Sequence, residues 1–361
     1  MKIKMGRYKT MRSVTLRLTA LTLAVAILIF ANACGKKSTA STTAKKTTTT
    51  VHSDIDPLTG VSGLSSASIG KRPVAVVVEN LYAARPQWGI STADIIIEGL
   101  AEGGITRLLC LYPSASQIPD QIGPIRSARV DFLEMAEGFD AIFVHWGGAA
   151  SAYAAISSSR VNDVDGLKQG SYFARDTSRS SRGLEHTGYT TGSNIAKAIS
   201  DLGYRDTVES SYANVLSFNK ESKKASYTGG ACNSIKIKYS NSFIYTFSYN
   251  GTDGKYYSAL NGTNFNDASG TQLSYENVII LYFPSYSYIA NTKGSIDMDL
   301  SGGNGVIVSN GTYENIKWEK GNTPSNPLKL YTESGTTLKL NAGKSYIGLV
   351  PASESSSTVI A

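Results

Sequence analysis

Four short, uninterrupted apolar runs constrain this chain most, because each is too short for a helix and is bounded by polar residues. They lie within residues 73–78, 94–97, 107–112 and 141–145. Such runs are typical of strands buried on both faces of a sheet. Helical spacing of apolar residues over 127–138, and further helices starting at Ser151 and at Ser193, separate some of them. This alternation predicts an α/β layer fold.

The pattern changes after about residue 234 to short alternating runs, at 235–239, 243–249, 278–283 and 346–350. Turn pairs such as Asn261-Gly262 and Asn310-Gly311 punctuate these runs. Alternating runs with Asn-Gly turns predict a mainly antiparallel β domain. Its many tyrosines are expected to pair across strands rather than to stack on sugars. The chain is therefore expected to be α+β overall.

The amino terminus has the pattern of a lipoprotein signal peptide. Residues 1–33 begin with a basic region, continue with an apolar run of about fourteen residues, which is short for a membrane span, and end in small residues before Cys34. That ending resembles the bacterial lipobox, with Ala31 where Leu is usual. Cys34 is then expected to carry palmitate and other acyl chains that anchor the protein at the outer face of the cytoplasmic membrane. An uncleaved N-terminal anchor is the alternative.

Composition limits the partners and sets the predicted domain boundaries. Six of the seven net positive charges lie in residues 1–33, so the rest of the chain lacks the basic footprint of a nucleic-acid-binding protein. Residues 34–70 read as a Ser/Thr/Lys-rich linker, 71–220 as the α/β domain and 221–361 as the β-rich domain. Cys110 lies in an apolar run, so we expect no disulfide between it and Cys232.

Charge and glycine concentrate in residues 98–107 and 123–129. Glu98 and Glu102 are close in sequence, and two neighbouring carboxyls, one protonated and one ionised, are what glycoside cleavage needs. The alternative is that these carboxylates neutralise nearby arginines in a buried network.

Three arginines accompany the two carboxylates, namely Arg107, Arg126 and Arg129. Guanidinium groups bind carboxylates and phosphates with two parallel hydrogen bonds. A ligand with anionic groups is therefore one prediction for this cluster, and internal pairing with acidic side chains is the other.

Further candidates follow the fourth apolar run and lie in the long loop 166–189. His145 precedes Gly147 and Gly148, whose amides could approach a ligand, although His145 could equally be a core residue bonded to a carbonyl. His186 lies near Arg175 in a polar loop, where packing explains it less well. The spacing of histidines and cysteines predicts no metal site, and no nucleotide-binding or nucleophile motif predicts a cofactor.

Several motifs together resemble those of the YerB-like lipoproteins of Gram-positive bacteria. They are ARPQ at 84–87, AEGGITR at 101–107, IGPIRSAR at 122–129 and DAIFVHWGG at 140–148. The chain departs from this family around His186, where Glu185 and Thr187 replace the usual Pro and Asn, and after Gly148, where Ala149-Ala150 replaces Ser-Pro. The resemblance implies a two-domain extracytoplasmic lipoprotein and assigns no reaction.

Two functions therefore stay open. In the favoured one, the chain binds an anionic wall polymer or a protein partner through an Arg/Glu-lined cleft and has no turnover. In the other, it is an envelope enzyme that cleaves peptidoglycan or a related glycan, with Glu98 or Glu102 as acid or base, and with His186 or His145 assisting.

Overall fold

The computed structural model describes residues 53–209, 212–292, 294–321 and 323–361. The predicted signal peptide, Cys34 and the linker up to residue 52 lie outside these residues. Within the described part of the chain, no helix has both the length and the apolar character to cross a membrane.

The N-terminal region mixes short strands with three α-helices. The helices are α1 (Val130–Gly138), α2 (Ala150–Ser158) and α3 (Gly192–Asp201). The strands are β1 (Val74–Glu79), β2 (Ile95–Leu100), β3 (Thr106–Tyr112), β4 (Ile142–His145), β5 (Asp163–Asp165), β6 (Ala174–Arg175) and β7 (Gly188–Tyr189).

The C-terminal region consists mainly of strands. They are β8 (Ser217–Phe218), β9 (Gly230–Ala231), β10 (Ser234–Ser240), β11 (Phe243–Asn250), β12 (Lys255–Leu260), β13 (Thr263–Asn264), β14 (Ser274–Tyr275), β15 (Asn277–Phe283), β16 (Tyr286–Tyr288), β17 (Ile296–Met298), β18 (Gly302–Ser309), β19 (Thr312–Glu319), β20 (Lys329–Thr332), β21 (Lys339–Leu340), β22 (Ser345–Pro351) and β23 (Val359–Ile360).

One large sheet runs through both regions. Its order is β20-β19-β18-β15-β22-β2-β3-β1-β4-β5, with β9 beside β19. The join is the parallel pairing of β2 with β22, in which Ile97 lies opposite Ile347. Neither β2 nor β22 is an edge strand, so the sheet is continuous across the two sequence regions. Its strands contribute to one hydrophobic core.

A second sheet, ordered β13-β12-β11-β10-β23 with β14 beside β12, packs on the first through aromatic side chains. Tyr346 on β22 contacts Phe247 on β11, with ring centroids 4.7 Å apart, and also contacts Tyr245 and Tyr275. These rings are buried, so these tyrosines serve packing rather than exposed sugar stacking.

The predicted fold class is confirmed: helices mix with strands in the N-terminal region, and the C-terminal strands pair mostly antiparallel. The four apolar runs are buried strands β1 to β4. Helix α1 begins later than predicted, at Val130, because Arg129 still has extended backbone. Helix α3 is capped by Thr191, whose hydroxyl accepts a hydrogen bond from the amide of Asn194 at 3.0 Å, rather than by Ser193.

Residues 56–70, which the sequence assigns to the linker, pack onto this body. Leu58 joins the hydrophobic core, and the hydroxyl of Ser68 lies 2.8 Å from that of Ser114. Leu58 and the buried Ser68 attach this Ser/Gly-rich segment at two points, which composition alone does not reveal.

Candidate functional site

Glu102 holds two of the predicted arginines together. It lies in the tight turn between β2 and β3, where Gly103 and Gly104 take positive φ angles. Its Oε1 accepts a hydrogen bond from Arg107 at 2.5 Å, and its Oε2 accepts from Arg129 at 2.8 Å. The Arg107 side chain is 3% exposed, and burial lowers its pKa to about 9. One carboxylate thus compensates two largely buried cations.

Glu98 has a different environment. It is fully buried on β2, and its carboxylate accepts hydrogen bonds from Asn80 at 3.0 Å and from the hydroxyl of Tyr346 at 2.8 Å. Burial raises its pKa to about 7. The structure therefore does not place Glu98 and Glu102 as a pair: they have separate partners, and Glu98 has no surface open to solvent.

The third predicted arginine, Arg126, pairs with Glu79, a residue that the sequence analysis did not select. Oε1 of Glu79 lies 3.2 Å from Nε of Arg126, and its Oε2 lies 2.7 Å from Nδ1 of His186. Burial raises the pKa of Glu79, and the nearby Arg126 and His186 oppose this rise. The sequence feature that could have identified Glu79 is the polar pair Glu79-Asn80 at the end of an apolar run.

His186 itself is 7% exposed and closes a short 3-10 helix, Leu184–His186. Its Nδ1 donates to Glu79 when that carboxylate is ionised, which leaves Nε2 on the side of Glu185, 3.9 Å from Oε1. A buried carboxylate that orients an imidazole is an arrangement suited to general-base chemistry, and it also suits a purely structural anchor for the loop.

His145 is a core residue in this structure. It is fully buried, with Nδ1 2.8 Å from the carbonyl of Gly147 and Nε2 3.2 Å from Asp163. The Gly147 amide donates to Asp165 at 2.7 Å, and Gly148 bridges to Ala128. These bonds hold the end of β4 against the segment that precedes α1. The Gly147 amide already donates to Asp165, so it is not free to bind a ligand.

Arg175 lies at the surface and stacks on Trp146, with its guanidinium carbon 4.3 Å from the ring centroid. Its Nη1 donates to the carbonyl of Leu184 and, at 3.3 Å, to the hydroxyl of Thr187. Arg175 thus braces the loop that carries His186, and no carboxylate of the described residues pairs with it.

The arginines of the described residues fall into two groups. One group has a carboxylate oxygen within 4.0 Å and consists of Arg72, Arg107, Arg126, Arg129 and Arg205. The other group has no carboxylate oxygen within 4.0 Å in the described part of the chain. It consists of Arg85, Arg160, Arg175, Arg179 and Arg182. Four of these five belong to one surface, which we call the arginine face: Arg85, Arg175, Arg179 and Arg182.

Hydrogen bonds between two segments assemble the arginine face. Arg179 donates to the carbonyl of Ala84 at 3.3 Å and lies over Trp88, and Arg182 donates to the carbonyl of Arg85 at 2.7 Å. Burial lowers the pKa of both Arg85 and Arg179. Arg175 was predicted as a neighbour of His186, and Arg85 lies in the ARPQ motif. The exposure of Arg175 and Arg182, and the burial of Arg179, are visible only in the fold.

A cleft of about 840 Å³ opens beside Arg85 and Arg182. A smaller cleft, about 340 Å³, lies beside Glu102 and is lined by Tyr286 and Tyr288. Among the described residues, no group of three or more His, Cys, Asp or Glu side chains is placed to hold a metal ion. Cys110 and Cys232 are both buried with unpaired thiols.

Comparisons with known proteins agree with this architecture. The model described as "Protein of unknown function (DUF3048) N-terminal domain" matches residues 58–205, and its C-terminal counterpart matches residues 235–347. The chain is 33% identical over 325 residues to "Putative lipoprotein YerB" of Bacillus subtilis (strain 168), covering 88% of this chain and 90% of that protein.

The crystal structure of YerB from Bacillus subtilis superposes with a TM-score of 0.72 and 31% identity, covering 84% of this chain and 98% of that one. The resemblance predicted from the four motifs is confirmed, because sequence and fold agree over nearly the whole length of both proteins. This chain belongs to the YerB family.

Proposed function

We propose that this protein is a lipoprotein anchored at the outer face of the cytoplasmic membrane through Cys34, and that its folded body binds an anionic envelope polymer. The relation to a protein named as a lipoprotein supports the anchor, together with the small residues before Cys34. Lipid chains on that cysteine would keep the body close to the membrane surface.

The observation that carries the binding proposal is the arginine face. Glu102 and Glu79 neutralise the arginine cluster predicted from sequence, which consists of Arg107, Arg126 and Arg129. This cluster therefore presents little net positive charge to a ligand. The four arginines of the arginine face have no carboxylate oxygen within 4.0 Å among the residues that the structure describes. Arg175 and Arg182 are exposed, so their guanidinium groups are available to a carboxylate or phosphate of a ligand. Arg85 is partly buried, and Arg179 is buried against Trp88 and supports this surface from beneath.

Two arginines of the arginine face lie over tryptophan rings. The guanidinium carbons of Arg175 and Arg179 lie 4.3 and 3.6 Å from the ring centroids of Trp146 and Trp88, so both groups are held in place before a ligand arrives. Side chains that are already ordered lose less conformational entropy on binding. The arginine face is thus a prepared anion-binding surface rather than a set of mobile surface charges.

Binding of long-chain polyphosphate to the full chain in a non-ionic detergent tests the proposal. We expect binding at low salt that weakens as salt is raised, because screening reduces interactions between exposed charges. Arg175→Gln should weaken it about tenfold, and Arg175→Lys should recover part of the loss. Arg160→Gln is the matched control, since Arg160 is another exposed arginine without a carboxylate partner, outside the arginine face. No binding at low salt, or equal loss in Arg160→Gln, would refute the proposal.

A second candidate function, cleavage of an envelope glycan, has one specific observation in its favour. Glu79 orients His186 as a carboxylate orients the imidazole of a general base. Purified peptidoglycan incubated with the full chain, with release of soluble fragments measured by mass spectrometry, tests this candidate. Release that is lost in His186→Gln but kept in Arg160→Gln would establish an enzyme.

A further inference from the structure

The cleft beside Arg85 and Arg182 is lined by basic, amide and apolar side chains. It lies where the segment after β1 meets the β12–β13 hairpin, and it has a volume of about 840 Å³, within the range of small-ligand sites. Two of its lining residues carry guanidinium groups, and none carries a carboxylate. A ligand in this cleft therefore meets two guanidinium groups, neither of which has a carboxylate oxygen within 4.0 Å among the described residues. The buried Glu98 is the acidic group that interacts with Arg85 from farther away.

Arg85 is fixed at one wall of the cleft. Its guanidinium lies between the rings of Phe243 and Phe265, 5.4 and 5.8 Å from their centroids, and donates to the side chain and the carbonyl of Asn80. Arg182 joins it through the hydrogen bond to the Arg85 carbonyl. The two arginines thus come from different segments and line the same cleft, which suits recognition of a carboxylate or phosphate.

The remaining lining is mixed. It consists of two aromatic rings, three asparagines, one threonine and the apolar Ala83, Pro86 and Leu260. Tyr82 stands at the rim with 87% of its surface exposed, the largest exposed fraction among the large hydrophobic side chains of the described residues. A tyrosine ring offers a flat apolar face and a polar edge, and it loses little entropy on binding because it has few rotatable bonds. An exposed ring beside a cleft with both apolar and polar walls is suited to contact the apolar face of a sugar.

Asparagine side chains complete the cleft. Asn264 is exposed on β13, and Oδ1 of Asn266 is buried without a hydrogen-bond partner in the described structure. An amide has both donors and an acceptor, which match the hydroxyl and acetamido groups of a carbohydrate. A buried carbonyl oxygen without a partner is unfavourable unless a ligand or water supplies a donor.

We propose that this cleft binds a carbohydrate unit that carries an anionic substituent, with Tyr82 against the sugar ring, Arg85 and Arg182 on the anionic group, and Asn264 and Asn266 on polar substituents of the ring. The proposal deepens, and rests on, the proposed binding of an anionic envelope polymer. It specifies the class of ligand, which is a sugar rather than any polyanion. It also names residues that recognise the sugar ring rather than the anionic charge.

Calorimetric titration of the full chain in detergent tests the proposal with three probes. They are the disaccharide of N-acetylglucosamine and N-acetylmuramic acid, which carries a carboxylate, N-acetylglucosamine 6-phosphate, which carries a phosphate, and neutral diacetylchitobiose. We expect at least one acidic probe to bind and the neutral one to bind about tenfold more weakly, because it leaves two cations without a partner. The preferred acidic probe identifies the anionic group.

Two variants examine the ring and the charge separately. Tyr82→Ala and Arg182→Gln should each weaken the preferred probe about tenfold, and both side chains are exposed, so the fold should be kept. Tyr288→Ala and Arg160→Gln are the matched controls, an exposed tyrosine in the other cleft and an exposed arginine away from both. Equal binding of neutral and acidic probes, or no effect of Tyr82→Ala, would overturn the proposal.

The polyphosphate assay separates failure of this proposal from failure of the proposed function. In one outcome, polyphosphate binding depends on Arg175 and is unchanged by Tyr82→Ala, and neither acidic sugar binds. That outcome would reject the carbohydrate site and support the proposed binding of an anionic polymer. Absence of binding in both assays would reject both. Binding of an acidic sugar that depends on Tyr82 supports both.

Discussion

Nδ1 of His186 lies 2.7 Å from Oε2 of Glu79, although 107 positions separate the two residues in the chain. Glu79 ends the buried strand β1, and His186 ends the loop that carries Arg175, Arg179 and Arg182. This bond therefore connects the rigid sheet to the loop that forms most of the arginine face. A loop with little regular structure needs such a connection to hold charged side chains in fixed positions.

A double-mutant cycle on this pair should show strong coupling. Glu79→Gln and His186→Gln each remove one partner from a buried contact, so we expect a coupling free energy of about 1 to 3 kcal/mol in denaturant unfolding. Pairing Glu79→Gln with a mutation of His145, whose partners are Gly147 and Asp163, provides the control and should be additive. Additive effects of Glu79→Gln and His186→Gln would contradict the inferred connection.

Glu102→Gln should destabilise the protein strongly. The change leaves Arg107, buried and bonded to Glu102 at 2.5 Å, without its carboxylate, and such a loss typically costs about 3 kcal/mol. Denaturant unfolding measures it. Lys197→Ala, which breaks the exposed pair with Asp201, should leave the unfolding midpoint unchanged. A Glu102→Gln protein as stable as the parent would show that Arg107 finds another partner. Any assay of Glu102→Gln for glycan cleavage therefore needs a check of folding.

The buried strands were predictable because short, uninterrupted apolar runs are compatible with few other structures. Strand β1 begins and ends within one residue of its predicted limits. The pairing of β2 with β22 could not be predicted, since nothing in either strand specifies a parallel partner some 250 positions away. Local periodicity identifies strands, whereas sheet order depends on contacts between distant parts of the chain.

The candidate site was predictable in composition but not in pairing. The turn after β2 was identified by its glycines and charges, yet sequence spacing suggested that Glu98 and Glu102 are neighbours. Strand geometry separates them: Glu98 is within β2 and fully buried, and Glu102 is in the turn. Glu79 and the exposed Tyr82 were missed because burial and exposure depend on which segments cover them.

Cys34→Ala should release the protein from the membrane. Lipidation requires the cysteine sulfur, and lipid chains provide the membrane affinity expected for this chain. Labelling cells with a palmitate analogue and separating membrane from soluble fractions measures both consequences. Cys110→Ala is the matched control, because Cys110 is fully buried and burial raises the pKa of its thiol, which makes it unreactive. Membrane retention of Cys34→Ala would instead indicate an uncleaved N-terminal anchor.

Glu98 should make stability depend on pH. Burial raises its pKa to about 7, above the ordinary value of 4.5 expected in the unfolded chain. The folded protein therefore binds the proton more tightly than the unfolded chain does, so this contribution is complete below pH 4.5. It is lost as pH rises towards 7, by roughly 3 kcal/mol at most.

Glu98→Gln isolates this contribution because glutamine resembles the protonated carboxyl and does not titrate. Its amide can replace the carboxyl in the contacts with Asn80 and Tyr346, since the Tyr346 hydroxyl is also paired with that of Tyr239 and can accept instead of donate. Asp131, whose pKa burial raises to about 8, adds its own pH dependence to both proteins, so the informative quantity is the difference between them. Unfolding free energies measured across this range should converge at low pH, with Glu98→Gln the more stable near neutrality. Parallel curves would mean that Glu98 keeps its charge in the folded protein, stabilised by the hydroxyls around it and by Arg85.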